Sequence, residues 1–298
     1  MSVLGQHKFA GVFYMVLGMI GMGAVDATGK WLVTADYSSA QVIAVRGWFI
    51  SAMLIAWGIY AGRMSEFKTQ RPWGHCLRLM VGFLGPMMMF RALQDMPLAD
   101  VTVIIFGSTF ATTAFAVPLF KEKVGLHRWT AVIVGFLGVV IALRPGAGLF
   151  DPVALFALVG GLAFAGINLT ARWLRETETT FQIVFFLMVG MTVLATIIAL
   201  PGWVPLASKD IWLFAAMAVF TLFGYVFMTH AFVVAPVGLV APFEYTVMIW
   251  AVLFGYLIWG DVPDAYVWTG AAVIVASGLY LIYREQKAAA PAADPPLA

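Results

Sequence analysis

Asp26 and Lys30 stand four residues apart in Asp26-Ala27-Thr28-Gly29-Lys30-Trp31-Leu32, at the end of a long apolar run. Four residues is one helical turn, so both side chains share a face. A charge at mid-bilayer costs about 2.5–3.5 kcal/mol, and one that stays there faces a cavity or a partner. The arrangement returns 142 residues later (168 − 26) as Asn168-Leu169-Thr170-Ala171-Arg172-Trp173-Leu174. Thr, a cation, Trp and Leu keep their order, and Asn168 replaces Asp26. A carboxylate can take up and release a proton, whereas an amide cannot. Asp26, Lys30 and Asn168 are therefore candidates for a polar substrate or ion site. The other reading is local: Lys30 and Arg172 reach opposite interfaces on their long stems, and Asp26 pairs with Lys30.

Arg46 is the next candidate. Gln41 aligns with Gln182 in the repeat, so Arg46 falls opposite Leu187. A symmetric structural role would keep a similar residue there, and the asymmetry points to function. The alternative is a partner for Asp26 or Asp36. Glu244 follows Pro242 inside an apolar run, and its repeat counterpart is Ile105. Proline frees a backbone carbonyl, and a broken helix beside a carboxylate is a recurring ion or substrate site. An interfacial Glu capping the helix start is the other reading. Tyr245 and Trp250, with Phe106 and Phe110, lie deep enough to stack a flat substrate, or to pack against lipid. Arg91 and His230 correspond to each other near helix ends and are expected to satisfy carbonyls or headgroups.

The elements that must position these residues follow from composition. Of 298 residues, 62% are hydrophobic and 11% charged. A soluble domain carries about a quarter charged residues, so lipid is the expected solvent. Spans of about 20 apolar residues cross the hydrocarbon. They are predicted at 9–33, 40–61, 75–94, 98–120, 127–145, 152–173, 180–200, 210–231, 236–259 and 265–284. All should be helices, because lipid-exposed backbone must satisfy itself internally. The fold class is thus all-α and integral to the membrane. The apolar run after Lys8 is too long for a signal peptide, and it is read as a retained first span. The tail after Lys287 is low-complexity and expected to be disordered, which leaves 285–298 as a cytoplasmic tail. A net charge of +2 gives no reason to expect a nucleic-acid partner. Cys76 is the single cysteine, so no internal disulfide can form.

Lys and Arg set the orientation. With the N-terminus in the cytoplasm, the cytoplasmic ends hold Lys8, Arg63, Lys68, Arg71, Arg78, Lys121, Lys123, Arg128, Arg172, Arg175, Arg284 and Lys287. The outer ends hold Lys30, Arg46, Arg91, Arg144 and Lys209. Both termini are therefore expected inside. The repeat continues: Arg91 to Pro97 matches His230 to Pro236 at a shift of 139. At that shift Phe115 meets Phe254, Glu122 meets Asp261, and Trp129-Thr130 meets Trp268-Thr269. Two repeats, 9–145 and 152–284, hold five spans each. An odd number inverts the second, an architecture in which the substrate site lies near mid-membrane between the halves. Gly18, Gly21 and Gly23, with Gly135 and Gly138, fit close helix packing.

These residues resemble a known family. Arg91-Ala92-Leu93, Pro97-Leu98-Ala99-Asp100, Glu122, Gly135, Gly138 and Leu143-Arg144-Pro145-Gly146 are similar to the first half of the EamA-type, ten-helix drug/metabolite transporters. Ala241-Pro242-Phe243-Glu244-Tyr245-Thr246, Ile249-Trp250-Ala251, Gly255-Tyr256, Pro263-Asp264 and Gly278-Leu279-Tyr280 before Arg284-Glu285 resemble the second. Lys121-Glu122-Lys123 departs from the more usual Gly-Glu. The resemblance implies a secondary transporter of a small metabolite in a bacterial cytoplasmic membrane, working by alternating access. The branch it approaches includes riboflavin and S-adenosylmethionine transporters, and other members export amino acids. Riboflavin is the first expectation for the substrate and S-adenosylmethionine the second. The competing class, an intramembrane enzyme, is disfavoured because no nucleophile–base or metal cluster is visible. No HExxH, CxxC or GxSxG occurs, and Trp31 stands where a phosphate loop needs Ser or Thr. No cofactor, metal or catalytic residue is expected; the partners are a small molecule and the lipid bilayer, and the oligomeric state is left open.

Overall fold

The computed structural model describes residues 3–121, 125–143, 152–235 and 237–289. Twelve α-helices follow in order: α1 Val3–Thr34, α2 Ser39–Tyr60, α3 Pro72–Asp95, α4 Leu98–Phe106, α5 Ser108–Phe120, α6 Leu126–Ala142, α7 Pro152–Leu174, α8 Thr180–Ala199, α9 Ser208–Val234, α10 Val237–Val240, α11 Thr246–Trp259 and α12 Ala265–Ala289. No strand occurs among the described residues. Nine segments there are long and apolar enough to cross a membrane. The tenth, α6, carries the shorter apolar stretch Trp129–Ala142. Glu122, Lys123, Arg144, Pro145 and Gly146 lie outside the described residues, as does the chain after Ala289.

The predicted fourth and ninth spans are each broken. Gly107 separates α4 from α5, and a 3-10 turn, Ala241–Tyr245, separates α10 from α11. The breaks fall at matching places, since Phe106 and Tyr245 are 139 residues apart. Their rings meet at 5.1 Å. Residues related by the repeat that touch each other must lie close to the axis relating the halves.

The same internal two-fold organises the packing. α1 lies along α9, and its counterpart α7 lies along α3. α2 pairs with α8 and α6 with α12, each with its own counterpart. The close approaches repeat as well. A Cβ on Gly18 would stand 2.9 Å from the Met228 nitrogen and 3.1 Å from the Gly224 oxygen. On the equivalent Gly160 it would meet the equivalent Met89 nitrogen and Gly85 oxygen, both at 3.3 Å. Without a hydrophobic drive between helices in lipid, backbone contact at small residues holds such pairs. Ser51 Oγ and Thr192 Oγ1, also related by the repeat, are 3.0 Å apart on the α2–α8 seam.

The starts of α2 and α8 are matched too. The Ser38 hydroxyl accepts from Gln41 N and the Thr179 hydroxyl from Gln182 N. The Gln41 amide donates to Val204 O, and the Gln182 amide donates to Lys68 O. Each loop thus ties a helix start to the opposite half. Beside them, the Tyr37 hydroxyl donates to Asp210 and accepts from Ala207 N. At the equivalent place the Glu178 carboxylate accepts from Thr69 Oγ1, Gln70 N and Arg71 N.

Candidate functional site

Where the halves face each other, α1, α2, α3, α7, α8 and α9 enclose a cavity of about 330 Å³. Its walls are made largely of repeat-related pairs: Met22 with Phe164, Val25 with Ile167, Asp26 with Asn168, Ile50 with Met191, Gly82 with Thr221, Pro86 with Tyr225 and Phe90 with Thr229. The site is a product of the two-fold, since neither half holds it alone.

Charge departs from that symmetry. Arg46 lines the cavity opposite Leu187, which lines it too. Arg78 also lines it, and its counterpart Met217 is fully buried. Asp26 completes the charged set. All three come from the first repeat. Arg78 Nη1 donates to Ile167 O and, at 3.2 Å, to Thr170 Oγ1, so α7 holds its guanidinium. Arg46 is buried, with electrostatic neighbours in Asp26 and the Tyr225 hydroxyl. No ion pair within 4.0 Å joins Arg46 to Asp26 among the described residues. The Nε atoms of both arginines are buried without a hydrogen-bond partner.

Access is unequal at the two ends. Asn168 and Thr229 are exposed, whereas Asp26 is half-buried and Phe90 only 2% exposed. The cavity therefore opens at the end of Arg172 and is shut at the end of Lys30. Toward the shut end Met217 and Phe214 are fully buried, and Tyr37 is edge-on to Phe214 at 5.4 Å.

The structure thus brings together Asp26, Arg46 and Asn168 from the sequence candidates. It does not bring in Lys30, Glu244, Tyr245 or Trp250. Lys30 turns away from Asp26: its Nζ donates to Asp261 at 2.7 Å and sits 4.6 Å from the Trp259 ring centre. Its counterpart Arg172 lies 4.7 Å over Phe120, the counterpart of Trp259. The repeated cation is thus a clamp between the first span of each half and the end of the fourth. A buried ammonium needs a partner, and the nearby loop supplies one.

Glu244 is half-buried in the 3-10 turn, which packs on α1 and α12 outside the cavity. Its carboxylate has no hydrogen bond or ion pair among the described residues. Tyr245 packs on Phe106 and lines an apolar groove between α11 and α12. A Cβ on Gly278 would be 1.6 Å from its hydroxyl, so that ring occupies the space a side chain would take. Trp250 fills the notch at Gly23 on α1. α11 presents these rings outside the α1–α9 wall, because α9 and not α11 fills the gap beside α1 at the centre.

Sequence reasoning missed Arg78, Tyr225, Phe90 and Phe164. From its place near the start of α3, Arg78 reads in the sequence as a cation of the cytoplasmic ends. The test that singled out Arg46, a cation opposite an apolar counterpart, would have found it at Met217.

A model of the EamA-like transporter family matches residues 9–144 and again 151–284. The chain belongs to the EamA-like transporter family. Among its relatives are an S-adenosylmethionine uptake transporter of Rickettsia conorii, 27% identical, aligned over 93% of this chain and 94% of that protein. A riboflavin transporter of Vibrio cholerae is 26% identical over 95% of this chain and 96% of its own length. A solved crystal structure with 17% identity covers 92% of this chain and 99% of its own, with a TM-score of 0.59, and shares the fold. This family member is a multi-pass membrane transporter, not an enzyme, built as two inverted five-helix repeats and acting on small molecules.

Proposed function

We propose that this transporter is a secondary carrier working by alternating access, with riboflavin as its substrate. One observation carries the carrier reading. Repeat-related residues line one cavity, yet Asn168 and Thr229 are exposed while Asp26 and Phe90 are withdrawn. Two halves of like build can exchange these environments, which opens the Lys30 end and shuts the Arg172 end. The Lys and Arg bias supports both termini in the cytoplasm, which makes the open end cytoplasmic.

Riboflavin is favoured by the walls. Phe164 and Tyr225 offer aromatic faces for a flat ring system. Two guanidiniums offer donors to its carbonyl edge. The ligand is neutral, whereas two arginines against one aspartate leave the cavity with surplus positive charge. S-adenosylmethionine is the second reading. Asp26 in the wall favours it by matching a sulfonium or ammonium, but the molecule adds net positive charge to a positive site.

Purified protein in liposomes tests both. Counterflow of labelled riboflavin, chased by unlabelled riboflavin and not by S-adenosylmethionine, is the expected result. Counterflow of S-adenosylmethionine alone would reverse the order, and flux of neither would remove both assignments.

A further inference from the structure

We infer that Asp26 and Arg46 together read the transported molecule, by taking one edge of it on which an N–H donor and a carbonyl acceptor stand side by side. In riboflavin that edge is the imide of the ring system. The inference therefore deepens the riboflavin reading and rests on it for the ligand.

The two residues sit at one depth on neighbouring helices. Asp26 lies eight residues before the end of α1 (34 − 26), and Arg46 seven residues after the start of α2 (46 − 39). At about 1.5 Å per residue these are rises of about 12 and 10.5 Å. Residues 35–38 join the two helices, which pack together. The helices thus run antiparallel and bring the two side chains level. Both residues line the cavity, and each is an electrostatic neighbour of the other. Yet no ion pair within 4.0 Å joins them among the described residues.

Neither has a hydrogen-bond partner among the described residues. The Arg46 Nε is buried, but its terminal nitrogens are not, so they reach the cavity that the residue lines. The half-buried Asp26 also keeps its carboxylate oxygens open to that space. Opposite charges withdrawn from water and left unpaired are costly. A ligand group that gives an N–H to the carboxylate and offers a carbonyl to the guanidinium satisfies both, and charge-assisted hydrogen bonds are the strong ones. Arg78 is not part of this pair, because α7 holds its guanidinium through Ile167 O and Thr170 Oγ1. The repeat counterparts Asn168 and Leu187 carry no charge, so the pair occurs once and gives the bound molecule a single orientation.

The test is binding of riboflavin and of 3-methylriboflavin, in which a methyl group replaces the imide hydrogen, to the purified protein, read by quenching of flavin fluorescence. The parent should prefer riboflavin by about 10- to 100-fold. Asp26→Leu, similar in size but without an acceptor, should reduce that preference to about threefold or less. Asp26→Asn keeps an oxygen acceptor and should keep the preference. Arg46→Leu places the counterpart's residue there and should weaken both flavins by about 10- to 100-fold, while Arg46→Lys, which keeps a charged donor, should restore most of the loss. The preference is a ratio within one protein, so a weakened fold does not imitate it. Equal binding of the two flavins by the parent, or an unchanged preference in Asp26→Leu, overturns the pairing and leaves riboflavin standing as substrate. Binding of neither flavin overturns the riboflavin reading instead. The pair then survives only if S-adenosylmethionine, whose ammonium and carboxylate also stand side by side, is bound about tenfold or more tightly than its decarboxylated analogue, with that preference lost in Arg46→Leu. Binding of none of the four overturns both.

Discussion

The Lys30–Asp261 pair lets the clamp reading be tested against a substrate role for the repeated cation. The Lys30 side chain is 7% exposed and that of Asp261 28%. Removing one partner of a fully buried pair costs about 3–5 kcal/mol, because the other charge is stranded. Here the stranding is unequal. Asp261→Ala leaves a buried ammonium with the Trp259 face as its remaining neighbour, a contact of about 0.5–2 kcal/mol. The expected loss is about 2–3 kcal/mol. Lys30→Met leaves a carboxylate that reaches water and an apolar stem that still fills its space. The expected loss is about 1 kcal/mol, after allowance for solvent screening. The double variant should resemble Lys30→Met, with a coupling of about 2–3 kcal/mol. Unfolding in mixed micelles on titration with denaturing detergent reads all four proteins. Ligand affinity should stay within about threefold of the parent in each. If Lys30→Met lowers affinity tenfold or more at nearly unchanged stability, Lys30 belongs to the site and the clamp argument fails.

Three further outcomes follow from the structure. Asp26→Asn makes the halves alike at that position; if Asp26 couples transport to protons, accumulation is abolished while exchange down a gradient survives. Counterflow and pH-driven uptake measured side by side decide it, and equal loss of both modes would leave Asp26 a positioning role only. Gly18→Ala should destabilise by about 1–3 kcal/mol, since backbone lies 2.9 Å from the new carbon, and Gly160→Ala by less, since its neighbours stand at 3.3 Å; equal losses in thermal unfolding would contradict the packing. Burial pushes the Glu178 carboxyl up, but hydrogen bonds from Thr69, Gln70 N and Arg71 N, with the nearby His75, outweigh it and hold it below the ordinary value of 4.5. A depressed carboxylate stabilises above the unfolded-state value, and this is lost as pH falls through the folded one, so stability should drop below about pH 4.5 and Glu178→Gln should flatten that drop.

Much of the fold was legible because lipid imposes a simple rule: apolar length gives spans, and an odd number per repeat gives inversion. The break at Pro242 was legible from proline chemistry. Its partner at Gly107 was not, because glycine in an apolar run has no single meaning until its neighbours are known. Asp26, Arg46 and Asn168 were found in the sequence through cost and asymmetry, and they do meet in one cavity. Lys30 was read beside Asp26 because four residues share a face. The structure sends it to Asp261, 231 residues along the chain, which local spacing cannot reveal.

The sequence by itself determined the solvent, the helices and the two-fold relation, since each depends on composition, length or order along the chain. The tertiary structure decided which polar groups share the cavity, because that depends on which faces of α1, α2, α3 and α9 point inward once the halves interlock. It also decided that one end is open, for a repeat in sequence is indifferent to the state of the molecule. Only packed helices can expose Asn168 and withdraw Asp26, although the two are equivalent in the chain.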